Sequence, residues 1–221
     1  MSVDINSLAF AAKKASQGPG FPPLQHGHAL ELCAAALGYK TFASYKTAVS
    51  AGQEAKDLSI AAHIVPQLQG VLERAIELRP RAPAMSHITW INEALTQCLP
   101  NAQLHVDETS LFNTLVTLVD ITAVNDGSVS GEMAVSNCDG VREIYLPFDF
   151  SLANTQAGEP ETLEIDGLIS MDIHEERFPI GQKISVRCHL HIEKLGKYLI
   201  AEPACHVESA KLIYDWDDDE D

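Results

Sequence analysis

Residues 24–42 read LQHGHALELCAAALGYKTF, and this stretch organises the first half of the chain. Its apolar residues recur at three- and four-residue spacing, which places them on one stripe of a helix with polar side chains opposite. Gly38 follows the last apolar position, where a residue without a Cβ ends a helix at little cost. Thr41 can cap the next helix. The stretch therefore predicts two short helices joined by a tight turn, as in a helix-turn-helix.

The same residues resemble a small helical module of bacterial proteins that is described as glyoxalase-related. The pattern is His26-x-x-Ala29-Leu30-Glu31-Leu32-x-Ala34-x-x-Leu37-Gly38-Tyr39-x-x-Phe42. The resemblance covers about residues 5–50 and includes a preceding basic helix with Lys13-Lys14. Gly27-His28 and Phe42 stand where many members carry Ser-His and Trp. The resemblance implies a bacterial source, such as a plasmid, phage or integrated element, and it implies no glyoxalase chemistry.

Four more helical segments are expected in the first 105 residues. Apolar residues recur at helical spacing in each segment, and prolines, glycines or a capping serine mark the ends. The segments lie at about residues 6–16, 58–65, 66–79 and 86–98. We therefore predict an N-terminal helical bundle over residues 1–105 that contains the helix-turn-helix-like pair.

Beyond about residue 105 the spacing of apolar residues changes from 3.6 to 2, which is typical of half-buried strands. Asp126-Gly127 and Asp139-Gly140 fit tight hairpin turns. Strands are predicted at about residues 115–123, 129–135, 144–150, 163–173, 184–192, 198–201 and 207–214. Residues 110–118 fit a helix equally well. We predict an antiparallel β-sandwich or barrel of about seven strands over residues 106–215, and hence an α+β chain.

The charge of the chain, −16 in total, is concentrated in its second half. Residues 1–105 hold 8 Lys/Arg and 7 Asp/Glu, a net charge of +1. Residues 106–221 hold 7 Lys/Arg and 24 Asp/Glu, a net charge of −17. An acidic half repels a phosphate backbone, so binding of nucleic acid by the whole chain is disfavoured. The charge favours a protein partner with a basic surface, alongside the simpler interpretation that it keeps the chain soluble.

The last residues carry the densest run of negative charge. Residues 216–221, WDDDED, cannot form a packed core, so we predict an acidic, disordered tail. A binding role is a further hypothesis, because an aromatic ring followed by carboxylates could anchor the tail on a basic protein. The residues that would make this contact are Trp216, Asp217, Asp218 and Asp219.

The second helix of the pair offers a different hypothesis, in which it enters the major groove of DNA. The polar side chains that it would present are Lys40, Ser44, Lys46 and Thr47. Because no arginine is available there to recognise guanine, we favour packing or protein docking over a DNA-binding regulator that uses residues 26–50.

Nine histidines raise the question of a metal site. His189 and His191 are two residues apart and share one face of a predicted strand, and His174 could lie on the neighbouring strand. Zinc or iron needs three or four such ligands around one point. The simpler interpretation is a solvent-facing row, and we favour it over a metal-dependent enzyme centred on His189 and His191. We therefore expect no metal or other cofactor.

Other features of the sequence bear on the class of protein. No apolar run approaches the roughly 20 residues that span a membrane, and no signal peptide is evident, so a cytoplasmic location is expected. The five cysteines lack CxxC spacing, and no P-loop, Rossmann or nucleophile-elbow motif is present. We predict a non-enzymatic bacterial interaction protein, such as an accessory factor of a mobile element. Its acidic β domain would bind a protein partner or self-associate along strand edges as a homo-oligomer.

Overall fold

The computed structural model describes residues 2–17, 22–78, 83–136, 138–155, 157–158, 160–173 and 181–214. Over these residues the chain is mixed α+β, as predicted, with seven α-helices and seven strands. The helices are α1 (Ile5–Ala15), α2 (His26–Ala36), α3 (Phe42–Ser50), α4 (Leu68–Leu78), α5 (Ala84–Cys98), α6 (Glu108–Asn125) and α7 (Gly127–Ser136). The strands are β1 (His63–Ile64), β2 (Gln103–Leu104), β3 (Cys138–Tyr145), β4 (Pro160–Ile173), β5 (Lys183–Gly196), β6 (Leu199–Ile200) and β7 (Ala204–Ile213).

The chain divides into two compact units that are not continuous in sequence. Unit 1 consists of Met1–Leu111, Ser151–Pro160 and Glu193–Glu202. Unit 2 consists of Phe112–Phe150, Glu161–Ile192 and Pro203–Asp221. Two short stretches from the second half of the chain therefore belong to the first unit.

Helix α2 lies at the centre of unit 1, where it contacts α1, α3, α4 and α5. Its buried face is made largely of alanines, including Ala29 and Ala34, which are fully buried and let neighbouring helices approach closely. The helix ends at Gly38, which has a φ of 83°. The amide of Gly38 donates to the Ala35 carbonyl and that of Tyr39 to the Ala34 carbonyl, both at 2.9 Å. These are the two bonds of a Schellman motif, so the predicted turn after α2 is confirmed.

Helix α3 begins where the sequence indicated. Thr41 accepts a hydrogen bond from the Ser44 amide, and the Ser44 side chain accepts one from the Thr41 amide, which makes a capping box. Both helices of the pair are therefore present. Their use as a helix-turn-helix stays a prediction.

Unit 1 also contains two short strands, β1 and β2, that the sequence pattern does not show, whereas β6 falls within the strand predicted at 198–201. The segment predicted as a helix over 58–65 forms a 3-10 turn at Leu58–Ile60 followed by β1. Strand β1 pairs in parallel with β2 and antiparallel with β6, and β6 pairs with the end of β5. The expectation of purely antiparallel pairing is therefore wrong. Strands β1 and β2 have two residues each and are too short to show a period, so only their long-range partners define them.

The largest error of the sequence prediction lies at residues 108–136, where two predicted strands are the helices α6 and α7. The buried residues of α6 follow a spacing of four, which is a helical repeat. They are Leu111, Leu115, Val119 and Ala123. Ile121 belongs to the alternating pattern read as a strand, yet its side chain is 56% exposed.

The predicted hairpin at Asp126-Gly127 is a helix start. The carboxylate of Asp126 accepts from the Ser128 amide at 2.8 Å, and its carbonyl accepts from the Ser130 amide at 3.0 Å. Aspartate is favoured both in tight turns and at helix N-caps, so the residue types do not separate the two structures. The predicted turn at Asp139-Gly140 is also wrong, because both residues lie within β3 at a register shift.

The strands of unit 2 run antiparallel in the order β3, β4, β5 and β7. The predicted alternation in β5 is confirmed, since all its even-numbered residues from Ile184 to Ile192 are buried. The same holds in β4, where Ile165, Ile169 and Met171 point inward. The odd-numbered side chains between residues 183 and 191 of β5 therefore point outward, and they include His189 and His191.

None of the helices in the described part of the chain combines the length and the apolar character that crossing a membrane requires. The five cysteines are all free thiols.

Candidate functional site

Three histidines come together on the outward side of β5 and β7 in unit 2, and we call them the histidine cluster. His189 and His191 lie two residues apart on β5, and His206 lies on β7 directly opposite His189. The ring centroids of His189 and His206 are 5.2 Å apart, as are those of His191 and His206. Those of His189 and His191 are 6.5 Å apart. The register of the sheet thus adds a third imidazole to the two that the sequence indicated.

A β-bulge places an acid beside the cluster. Ser209 is opposite Arg187 and Val207 is opposite Cys188, so Glu208 is an extra residue in β7. Its Oε2 lies 3.3 Å from Nε2 of His189. Bulges commonly redirect a side chain in this way, and here one brings a carboxylate onto the same face as the imidazoles.

The face continues across β4 as a network of charges. The Nε of Arg187 donates to Oδ1 of Asp166 at 2.6 Å and lies 3.8 Å from Oε2 of Glu208. The Asp166 carboxylate raises the pKa of Arg187 above its ordinary value. Next to it, Oγ1 of Thr162 and Nδ1 of His191 are 2.8 Å apart in a hydrogen bond. His189 contacts Glu208 through Nε2, and His191 contacts Thr162 through Nδ1. In each of these two imidazoles the other ring nitrogen is therefore left to meet a ligand.

As the side chains stand, no three His, Cys, Asp or Glu residues of the described ranges surround a common point suited to a metal ion. His174, the other histidine that the sequence singled out for a metal, lies outside the described residues. In the present arrangement the imidazole nitrogens and carboxylate oxygens of this exposed face can accept hydrogen bonds, and the carboxylates can bind cations.

A buried carboxyl group in unit 1 was not visible in the sequence. Glu54 is only 4% exposed, and its Oε2 accepts hydrogen bonds from the Tyr39 hydroxyl at 2.6 Å and the Lys197 amide at 3.2 Å. Its Oε1 is buried and has no hydrogen-bond partner among the described residues. Burial raises the pKa of Glu54 to about 7. Glu54 lies in an irregular loop after α3, so only its distant partners identify it.

Two further histidines form a buried pair in unit 1. Nδ1 of His63 and Nε2 of His105 are 2.9 Å apart, and Nδ1 of His105 lies 3.4 Å from Oγ of Ser110. Burial lowers the pKa of both imidazoles. Because one ring must donate and the other accept, the pair requires at least one neutral imidazole. It fixes β1 beside the end of β2.

The residues proposed to contact DNA are spread over α3 and the turn before it. Lys40 is exposed, and Nζ of Lys46 lies 5.9 Å from the centre of the Phe42 ring. The hydroxyl of Ser44 belongs to the capping box, and that of Thr47 donates to the Ala43 carbonyl at 3.1 Å. Both hydroxyls thus serve the helix itself. DNA binding by this helix stays a prediction.

Lys40 lines a cavity of about 410 Å³ together with Arg74 and Glu77, which form an ion pair. Arg74 donates to Glu31 at 2.9 Å and to Glu77 at 2.5 Å. Glu31 also accepts from the Phe42 amide at 3.1 Å, which ties α2, α3 and α4 together. The cavity is therefore bounded by a structural ion-pair network. The tail residues proposed as an anchor, Trp216, Asp217, Asp218 and Asp219, lie outside the described residues.

Comparison of the chain with protein-family models, with curated proteins and with solved structures finds no match. The resemblance of residues 5–50 to the glyoxalase-related module therefore stays a prediction.

Proposed function

We propose that this chain is a non-enzymatic interaction protein that binds a basic protein partner through unit 2. The observation that carries the proposal is that negative charge follows the structural division. Unit 2 holds 19 Asp/Glu and 5 Lys/Arg, a net charge of −14, whereas unit 1 holds 12 Asp/Glu and 10 Lys/Arg, a net charge of −2. A field of one sign on one unit attracts and orients a partner of opposite charge.

Strand β4 presents part of this charge in an ordered row. Glu164, Asp166 and Asp172 are exposed, while Ile165 and Met171 between them are buried. Side chains on one face of a strand repeat at about 7 Å, so the carboxylates have a fixed spacing. A preorganised row of this kind suits a partner that carries lysines or arginines on a regular element.

Self-association along the edge of β7 is disfavoured near Leu212, at the C-terminal end of the strand. The carboxylate of Glu132 in α7 accepts a hydrogen bond from the Leu212 amide at 3.1 Å. An edge amide that is satisfied within the chain does not recruit another strand. We therefore place the binding surface on the outward face of the strands.

The proposal predicts that the full chain binds a fluorescent peptide of about eight lysines, with a dissociation constant that rises at least about tenfold between low and high salt. The replacements Glu164→Gln and Asp172→Asn together should weaken binding about threefold, because they remove two carboxylates from the β4 row. Fluorescence anisotropy at several salt concentrations measures both effects.

The matched control replaces two exposed acids of unit 1, Glu73→Gln and Glu93→Gln, which removes the same charge from the other unit. We expect this variant to bind the peptide almost as well as the unmodified chain. Equal weakening by the two variants would show that only total charge matters. Binding that ignores salt would contradict an electrostatic contact altogether.

A further inference from the structure

We propose that the histidine cluster of His189, His191 and His206 binds a divalent transition-metal ion of the kind that prefers imidazole, such as Zn²⁺ or Ni²⁺. This inference is independent of the proposed partner and concerns a separate property of the same face. It rests on the backbone register and the ring spacing.

The backbone already holds the three histidines in a triangle. Two of them are an i, i+2 pair on β5, and the third is the direct cross-strand neighbour of the first. Cross-strand neighbours and i, i+2 residues have Cβ atoms within about 5–7 Å, and all three point to one side of the sheet. The main chain thus places the three imidazoles next to one another on one face of the sheet.

The ring spacing is close to what an ion requires. With metal–nitrogen bonds of about 2.0–2.1 Å and tetrahedral angles, the centroids of ligating imidazoles lie roughly 5 Å apart. Two of the three pairs already have a centroid separation of 5.2 Å. The third pair, at 6.5 Å, has to close by roughly 1 Å.

Ring rotation is the remaining requirement. The planes of His191 and His206 are stacked, 16° from parallel, so their nitrogen lone pairs do not converge before an ion is bound. The residue opposite His191 is Ala204, which is small and exposed, so the rings have room to turn about their side-chain bonds. The ion would supply the attraction that turns them.

The neighbours of the cluster leave suitable atoms available. Thr162 contacts Nδ1 of His191, so Nε2 is the nitrogen that faces a ligand. Glu208 contacts Nε2 of His189, and its carboxylate can either orient that ring or supply a fourth ligand. Such outer partners fix ring orientation at metal sites, and their loss typically lowers affinity by about 10–100-fold.

The test is isothermal titration of the full, untagged chain with Zn²⁺ and separately with Ni²⁺. We expect one ion per chain, and we expect His206→Thr and His191→Thr each to lower the affinity at least about tenfold, since each removes one of three ligands. Threonine suits an exposed strand position, and circular dichroism verifies that each variant is folded. Glu208→Gln should lower the affinity about tenfold.

His26→Ala serves as the control, because His26 is an exposed histidine of unit 1. It should leave the affinity and the stoichiometry of the full chain unchanged. A stoichiometry near zero would overturn the site. So would an affinity that is the same in the unmodified chain and in His206→Thr, since binding would then occur elsewhere.

Discussion

Replacing Gly38 with alanine should lower the free energy of unfolding by about 3 kcal/mol, because the new Cβ is strained and also has no room. Gly38 has a φ of 83°, a conformation that L side chains rarely adopt. A Cβ built there would lie 2.4 Å from Cε2 of Tyr198 and 2.5 Å from its Cδ2. The ring of Tyr198 must therefore move away from the turn that ends α2. Urea denaturation of the full chain measures the change.

Gly52 provides a matched control for this substitution. It has a φ of 73°, and a Cβ added there meets nothing within 4 Å. Gly52→Ala should therefore show only the backbone strain, about 1 kcal/mol. A Tyr198→Ala background should reduce the cost of Gly38→Ala toward that value. If the two glycine variants lose equal stability, contact with Tyr198 is not the cause.

The part of the fold that the sequence predicted well is local in origin. The end of α2 depends on Gly38 and on two hydrogen bonds to residues three and five positions earlier. The capping box of α3 spans Thr41 to Ser44. Strand β5 is long enough for its alternation to exclude a helix. In each case the residues that decide the structure are close together in the chain.

Helices α6 and α7 were missed because two patterns fit the same residues. A run such as Leu115, Val119 and Ala123 satisfies a repeat of two as well as a repeat of four. Only the burial of one helical face, with Ile121 left exposed, separates them. That burial comes from tertiary packing, which overrides local propensity. The spacing of apolar residues alone therefore does not predict it.

The candidate site was predictable only where its residues share a strand. The i, i+2 spacing of His189 and His191 is visible in the sequence, whereas the position of His206 depends on the register between β5 and β7 and on the bulge at Glu208. Glu54 is a stronger example. Its partner Lys197 is 143 residues away, so no local pattern could indicate a buried carboxyl group there.

Glu54 should make the protein less stable as the pH rises from about 4.5 to about 7. Burial raises the pKa of this carboxyl group from 4.5 to about 7 in the folded chain. Between these values the folded chain keeps a proton that the unfolded chain has released, so the free energy of unfolding falls with increasing pH. The whole shift corresponds to about 3 kcal/mol. The buried Oε1 atom has no hydrogen-bond partner among the described residues. This agrees with a raised pKa, because an ionised carboxylate oxygen without a donor is poorly solvated.

The replacement Glu54→Gln should remove this loss, because glutamine has nearly the same shape but does not ionise, and its carbonyl oxygen can still accept from Tyr39. Urea denaturation at several pH values from about 4.5 to 8 measures the free energy of unfolding of both proteins. As the pH rises over this range, the variant should become more stable relative to the unmodified chain by up to about 3 kcal/mol. Burial lowers the pKa of His63 and His105, so these residues make the stability of both proteins rise with pH through the region near 6.5, and their contribution cancels in the difference.

Glu73→Gln, at an exposed position of α4, should leave the pH profile parallel to that of the unmodified chain. A constant difference between Glu54→Gln and the unmodified chain across this range would mean that Glu54 ionises normally in the folded state.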